Sequence, residues 1–227
     1  MNSSRGRLYV VPTPIGNLKD ITLRAIEVLA QSDKILAEDT RTSQVLLRHL
    51  DIHTPTQSYH QNNEHKIVSA LIDELKRGKI YALISDAGTP AISDPGYLLV
   101  KKCIDSEIPV EVLPGATAFV PALVGSGFPM HQFIFEGFVP QQKGRITKIN
   151  TLFQNTCTSI CYESPHRLLK FLEQAKSLNY HEREICIVRE ISKLYETYHR
   201  GTVDTLSEYF CNNVPKGEIV IVIKALE

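Results

Sequence analysis

Four short apolar runs in the first half of this chain, residues 8–11, 35–37, 80–84 and 110–113, each break off into a loop. Segments of helical period separate them. Leu23, Ile26 and Leu29 fall at helical spacing in a helix expected from about Asp20, and a second helix is expected to run to Leu50. Ile67, Leu71 and Leu75 share one face of a third, which Gly78 ends. Strands separated by helices make a parallel sheet covered on both faces. Such strands point the same way, so the loops that follow them gather on one rim, where open α/β sheets bind small molecules.

Four loops have that address: residues 13–17, 38–42, 85–90 and 114–117. Gly16, Gly88 and Gly115 let the backbone approach a ligand closely. The most informative is Ser85-Asp86-Ala87-Gly88-Thr89-Pro90, continued by Ser93-Asp94-Pro95-Gly96. It carries two acids and no lysine, whereas a phosphate cradle would end in Gly-Lys-Ser/Thr. The loop suits a ligand that is neutral or positive where it touches the protein. Asp94 and Pro95 also read as the N-cap and first-turn proline of the helix that follows; Asp86 has no such capping duty.

The second half repeats the alternation, with strands expected at 133–135, 159–162, 185–188 and 219–223. Ser164 and Pro165 open a helix as N-cap and first-turn proline. The proline- and glycine-rich span 121–129 is the expected linker. The reading is an α/β fold of two tandem domains, residues 1–118 and 119–227, with a cleft between them.

Composition narrows the partners. Lysine plus arginine and aspartate plus glutamate both number 25, so no bulk field draws in nucleic acid, and any RNA surface must be a local patch. The five cysteines, Cys103, Cys157, Cys161, Cys186 and Cys211, are odd in number and form no Cys-x-x-Cys pair. That points to a reducing cytosol and away from a disulfide framework or a zinc site. The N-terminus has no apolar core behind its positive charge, so no signal peptide is expected. Residues 112–130 are uncharged but repeatedly broken by proline and glycine, which argues against a spanning helix. A cytoplasmic protein is expected.

Val11-Pro12-Thr13-Pro14-Ile15-Gly16-Asn17-Leu18, Ala37-Glu38-Asp39-Thr40-Arg41, the 85–96 loop and Tyr162-Glu163-Ser164-Pro165-His166-Arg167 together resemble one subgroup of the tetrapyrrole-methylase superfamily. Glu136-Gly137-Phe138, Arg189-Glu190 and Gly217-Glu218 continue the resemblance in order, over nearly the whole chain. It implies a tetrapyrrole-methylase-like fold that binds S-adenosylmethionine between two α/β domains, with no metal, in a homodimer. It also implies methylation of a cytidine ribose 2′-oxygen in 16S RNA of the small ribosomal subunit. Pro14, Gly16, Asp86, Gly88, Pro114, Gly115, Ala116 and Thr117 match the family's cofactor-contacting loops. Two departures are Pro12, where many relatives have glycine, and an end just after the last strand, where some members carry a further segment.

The residues agree with that implication. A sulfonium is cationic and suits loops that hold acids, although Asp86 equally suits ribose hydroxyls. Methyl transfer to a hydroxyl is governed by positioning and removal of a proton. Glu163 is the first candidate to accept it and Glu190 the second, each with a structural ion pair or strand-end cap as the alternative. Lys143, Arg145 and Lys148 lie in a stretch without acids and are candidate phosphate contacts, as are His166 and Arg167. The 59–64 stretch, Tyr-His-Gln-Asn-Asn-Glu, suits an unstacked base or a capped helix entry. The competing functions are a methyltransferase acting on a tetrapyrrole and a non-catalytic module that binds RNA or a nucleotide.

Overall fold

A computed structural model of the chain describes residues 6–226; the first residues, where a leader was sought, lie outside them. The chain divides into two compact units, Met1–Thr117 and Ala118–Glu227.

The first unit runs β1 (Arg7–Val10), α1 (Leu23–Gln31), β2 (Lys34–Ala37), α2 (Thr40–His49), β3 (Thr56–Ser58), α3 (Glu64–Lys76), β4 (Ile80–Ile84), α4 (Tyr97–Asp105) and β5 (Val110–Val112). Its five strands are ordered β3-β2-β4-β1-β5 and all pair in parallel. Side chains alternate between two cores. Leu8, Leu36, Tyr81 and Leu83 pack with Leu71 and Leu75 of α3 and Leu99 of α4. Ile35, Ala37, Ala82 and Ile84 pack with Leu29 of α1 and Leu47 of α2. Burial on both faces is why these strands are continuous apolar runs rather than alternating ones. Each fully buried leucine or isoleucine contributes about 1.5–3 kcal/mol.

Three local expectations are corrected. The first helix begins at Leu23, because Thr22 caps it by accepting the N–H of Ala25 at 3.1 Å, and residues 18–20 form a separate 3-10 turn. Leu23 is then 79% exposed, and Ala25 and Leu29 are the residues α1 buries. The helix after the 85–96 loop starts from Gly96 rather than from Asp94 and Pro95. Gly96 sits at φ +145, and a Cβ there would lie 3.1 Å from Leu83; only glycine takes that path readily.

The second unit runs α5 (Phe119–Ser126), β6 (Phe133–Phe138), α6 (Arg145–Gln154), β7 (Thr158–Glu163), α7 (Pro165–Ser177), β8 (Glu184–Arg189), β9 (Thr197–Thr202), α8 (Val203–Asn212) and β10 (Ile219–Ile223). Its sheet, ordered β6-β7-β10-β8-β9, is mixed: β6 and β7 are parallel and the other neighbours antiparallel. One face buries Ile185, Ile187, Ile219, Ile221 and Ile223 under α6, α7 and α8. The expected linker is a helix instead. Most of it is α5, whose Gly125 lets Tyr198 approach so closely that an added Cβ would stand 2.3 Å from the ring. Gly127, left-handed at φ +77, ends that helix. Among the described residues no helix is long and apolar enough to cross a membrane.

Candidate functional site

The parallel sheet of the first unit brings its four loops to one rim, and hydrogen bonds join them. Thr13 and Gly88 exchange backbone hydrogen bonds of 2.9 Å in each direction. The Thr13 hydroxyl donates to the Ser85 carbonyl at 3.1 Å, and the Thr89 hydroxyl to the Ala116 carbonyl at 3.0 Å. Asp86 Oδ1 accepts the backbone N–H of Asp39 at 3.1 Å. Gly115 faces Pro12 so closely that a Cβ would lie 2.5 Å from the proline Cβ. Gly88 is left-handed at φ +84, and a Cβ there would lie 3.3 Å from Ile15. Pro14, Gly16, Asp86, Gly88, Pro114, Gly115, Ala116 and Thr117 therefore share one rim.

Three carboxyls of that rim are pushed above their ordinary range. Partial burial, then repulsion from Glu38 and Asp86, push Asp94 up to about 6. Glu38 is raised by burial and by Asp86, and Asp86 by burial, against the lowering effect of the Asp39 N–H. Asp94 is thus one of a group of acids and not a helix cap. Nearby, Ala91 and Ser93 both take left-handed backbone, at φ 69 and 65, a conformation non-glycine residues hold at some strain. His60 adds a buried Nδ1 with no hydrogen-bond partner. Its backbone N–H is taken by the Asn63 side chain at 2.9 Å, so Asn63 closes the helix entry rather than capping α3. Glu38 and Asp94 were read only as members of the 38–42 and 85–96 loops and His60 as part of the 59–64 stretch; the structure brings out each as an individual group. Desolvated, mutually repelling acids suit a cationic group or hydroxyl donors and disfavour phosphate.

In the second unit Glu163, the first candidate proton acceptor, is held in a buried ion network. Glu163 and Arg145 are each 2% exposed. Glu163 Oε2 pairs with Arg145 at 2.7 Å, and Oε1 accepts from Arg167 Nε at 2.9 Å and from the Ser164 N–H at 2.7 Å. Arg145 also donates to Gln174 Oε1 at 2.8 Å and to the Pro140 carbonyl at 3.1 Å. This is a buried ion triad, the structural alternative for Glu163, in which Oε2 meets Arg145 as an ion pair without hydrogen-bond geometry. It also removes Arg145 from the surface where a phosphate contact was expected.

Glu190 is engaged as well. Its Oε1 accepts from Lys193 at 3.0 Å and from the Glu218 N–H at 2.9 Å. Burial works to raise it, but those two donors outweigh burial and hold its carboxyl below the ordinary range, which makes it a weak proton acceptor. Gly217 leaves it room, since a Cβ there would stand 2.2 Å from the carboxyl carbon. Lys143 is exposed, Lys148 pairs with Glu136 at 2.7 Å, and His166 is exposed on the first turn of α7.

Comparison with known proteins fits this geometry. Residues 7–207 match the family model described as Tetrapyrrole (Corrin/Porphyrin) Methylases. A Synechocystis protein named ribosomal RNA small subunit methyltransferase I is 46% identical over 219 residues, covering 96% of this chain and 78% of that one. A protein of the same name from Thermotoga maritima is 42% identical over 222 residues, covering 98% of this chain and all of its own. Among solved structures, the uroporphyrin-III C-methyltransferase of Thermus thermophilus aligns with TM-score 0.67 and 21% identity over 96% of this chain and 94% of its own. Diphthine synthase aligns with TM-score 0.75 and 12% identity over 96% and 90%. At those identities the two structures share the fold.

Proposed function

The chain belongs to the tetrapyrrole methylase family, and on that premise we propose that it methylates the 2′-hydroxyl of a cytidine ribose in the RNA of the small ribosomal subunit. The methyl donor in this reading is S-adenosylmethionine, which supplies an electrophilic methyl group on a sulfonium. The observation that carries it is the rim of the first unit, where hydrogen-bonded loops surround Glu38, Asp86 and Asp94 without a lysine.

The residues present fit that donor. The acids answer a sulfonium charge or ribose hydroxyls. Gly88 and Gly115 let the rim loops close on Ile15 and Pro12, which fixes the backbone that would meet the donor. His60 Nδ1 offers a buried polar atom that still needs a partner. The protein's share of the work is to position the donor, keep water from it, and hold its charge among acids that repel one another until it arrives.

RNA as the acceptor is supported by the names of the relatives at 42–46% identity. Lys143 and His166, both exposed, are the basic contacts that remain from the acid-free stretch and the α7 start. A homodimer belongs to the same reading: β6 is an edge strand whose Phe133, Ile134 and Phe138 are exposed. So does a cytoplasmic location, where ribosomes are assembled.

Two measurements test it. Calorimetry should show S-adenosylmethionine binding that survives a chelator. Tritiated methyl groups should then pass from that donor to 16S RNA in unmethylated small subunits and not to uroporphyrinogen. Transfer to the tetrapyrrole alone would select the other substrate, and no donor binding would leave only a non-catalytic module.

A further inference from the structure

The face of the second sheet that buries Ile185 and Ile187 ends in a charge. Arg189 follows Ile187 by two residues and so lies on the same face, and His199 on β9 stands opposite Ile187 in the ladder. Helix α8 covers this face as far as Phe210 and stops at Asn212. Beyond that end the face opens into a cavity of about 410 Å3 lined by Arg189, His199, Tyr209, Phe210 and Lys216.

Three features of the cavity point to one ligand chemistry. Arg189 Nε is buried without a hydrogen-bond partner, and the guanidinium has only a 3.4 Å contact to the Tyr195 carbonyl. Neither Arg189 nor Lys216 has an ion pair among the described residues. A buried N–H without an acceptor is costly until one arrives, and the rest of this half-buried guanidinium is within reach of the cavity. The third feature is aromatic. Tyr209 is 42% exposed, with its ring 4.9 Å from His199 and 5.0 Å from Phe210. One face of a supported ring beside two cations is what a nucleotide of single-stranded RNA requires, stacking for the base and donors for the phosphate. Burial, then the Arg189 charge, lower His199, so the imidazole serves as a neutral aromatic support.

We propose that this cavity is a second RNA subsite, in which Arg189 and Lys216 hold a backbone phosphate and Tyr209 stacks on an unpaired base. The proposal rests on the RNA-methyltransferase reading and adds a contact point apart from Lys143 and the α7 start.

Fluorescence anisotropy with a short fluorescein-labelled oligocytidylate, read over a range of salt, tests it. Lys216→Gln, on an exposed side chain, should lower the log–log salt slope by about 0.7, and Arg189→Gln with Lys216→Gln by about 1.4. Tyr209→Ala should weaken binding roughly tenfold with the slope unchanged. Donor affinity and the melting temperature of Lys216→Gln should match wild type. An unchanged slope in both variants, while wild type still methylates 16S RNA, overturns the subsite and leaves the function standing. Loss of all RNA binding and transfer in wild type overturns both. If cytidine monophosphate binds the cavity and the variants abolish that binding without altering the RNA slope, the pocket takes a free nucleotide and the RNA proposal fails.

Discussion

Asp86 Oδ1 accepts the backbone N–H of Asp39 at 3.1 Å, so the acid of one strand-end loop fixes the start of the next. Asp39 is itself the N-cap of α2, with its Oδ1 accepting from the Arg41 N–H at 2.8 Å. Asp86 thus has a positioning duty that the sequence did not reveal, beside the donor contact proposed for its charge. Asp86→Asn separates the two, because an amide oxygen still accepts the Asp39 N–H. Donor affinity should fall roughly tenfold, on the scale of a charged hydrogen bond of about 1–3 kcal/mol, with little change in melting temperature. Calorimetry and thermal melts check this; unchanged affinity with a collapsed melt would make Asp86 structural.

Asp94 gives a pH signature. Its folded value of about 6 lies above the ordinary carboxylate value, so in that window the folded chain binds more protons than the unfolded one. Stability of the ligand-free protein should therefore fall as pH rises through the window. Glu38 and Asp86, also raised, act in the same direction. Asp94→Asn should melt higher than wild type above pH 6, match it in acid, and bind the donor less well, the usual exchange of stability for function. Equal melting temperatures at neutral pH would show that the acids carry no such strain.

The buried pairing of Glu163 with Arg145 and Arg167 predicts structural behaviour for the triad. Glu163→Ala strands a buried guanidinium, and the expected loss is about 3–5 kcal/mol in urea unfolding. Methyl transfer per folded molecule should remain near wild type. A loss of a hundredfold or more in the folded fraction would restore Glu163 as the proton acceptor.

Gly115 and Pro12 hold two loops in contact, and neither can yield easily, since a Cβ on one meets the ring of the other at 2.5 Å. Gly115→Ala should weaken donor binding, and Pro12→Gly in the same chain should recover most of it. A double-mutant cycle measures the coupling. Additive losses would mean that the two loops act independently.

Much of the first unit was legible because its central strands are buried on both faces. Residues 80–84 read as an unbroken apolar run for that reason, and their loops had to share a rim. β3 was missed because Thr56, Gln57 and Ser58 are half-buried at a sheet edge and show no apolar run. α5 was hidden by Pro121 and Gly125, whose roles are tertiary: Gly125 is there for the ring of Tyr198. Arg145 was misplaced on the surface, although the sequence held the warning. With Ile149, Leu152 and Phe153 it falls at positions i, i+4, i+7 and i+8 of α6, on the buried stripe. The acids at 38 and 94 lie far apart in sequence, and only the strand order shows that Asp86 acts on both.

The most direct measurement is nucleoside mass spectrometry of 16S RNA. Small subunits from a strain deleted for this gene would be treated with the purified protein and S-adenosylmethionine, then digested to nucleosides. One cytidine should appear as 2′-O-methylcytidine, and the Asp86→Asn protein should yield far less of it at the same donor concentration. A methyl group on the cytosine base, or no methylated nucleoside from a protein that binds the donor, would contradict transfer to the ribose.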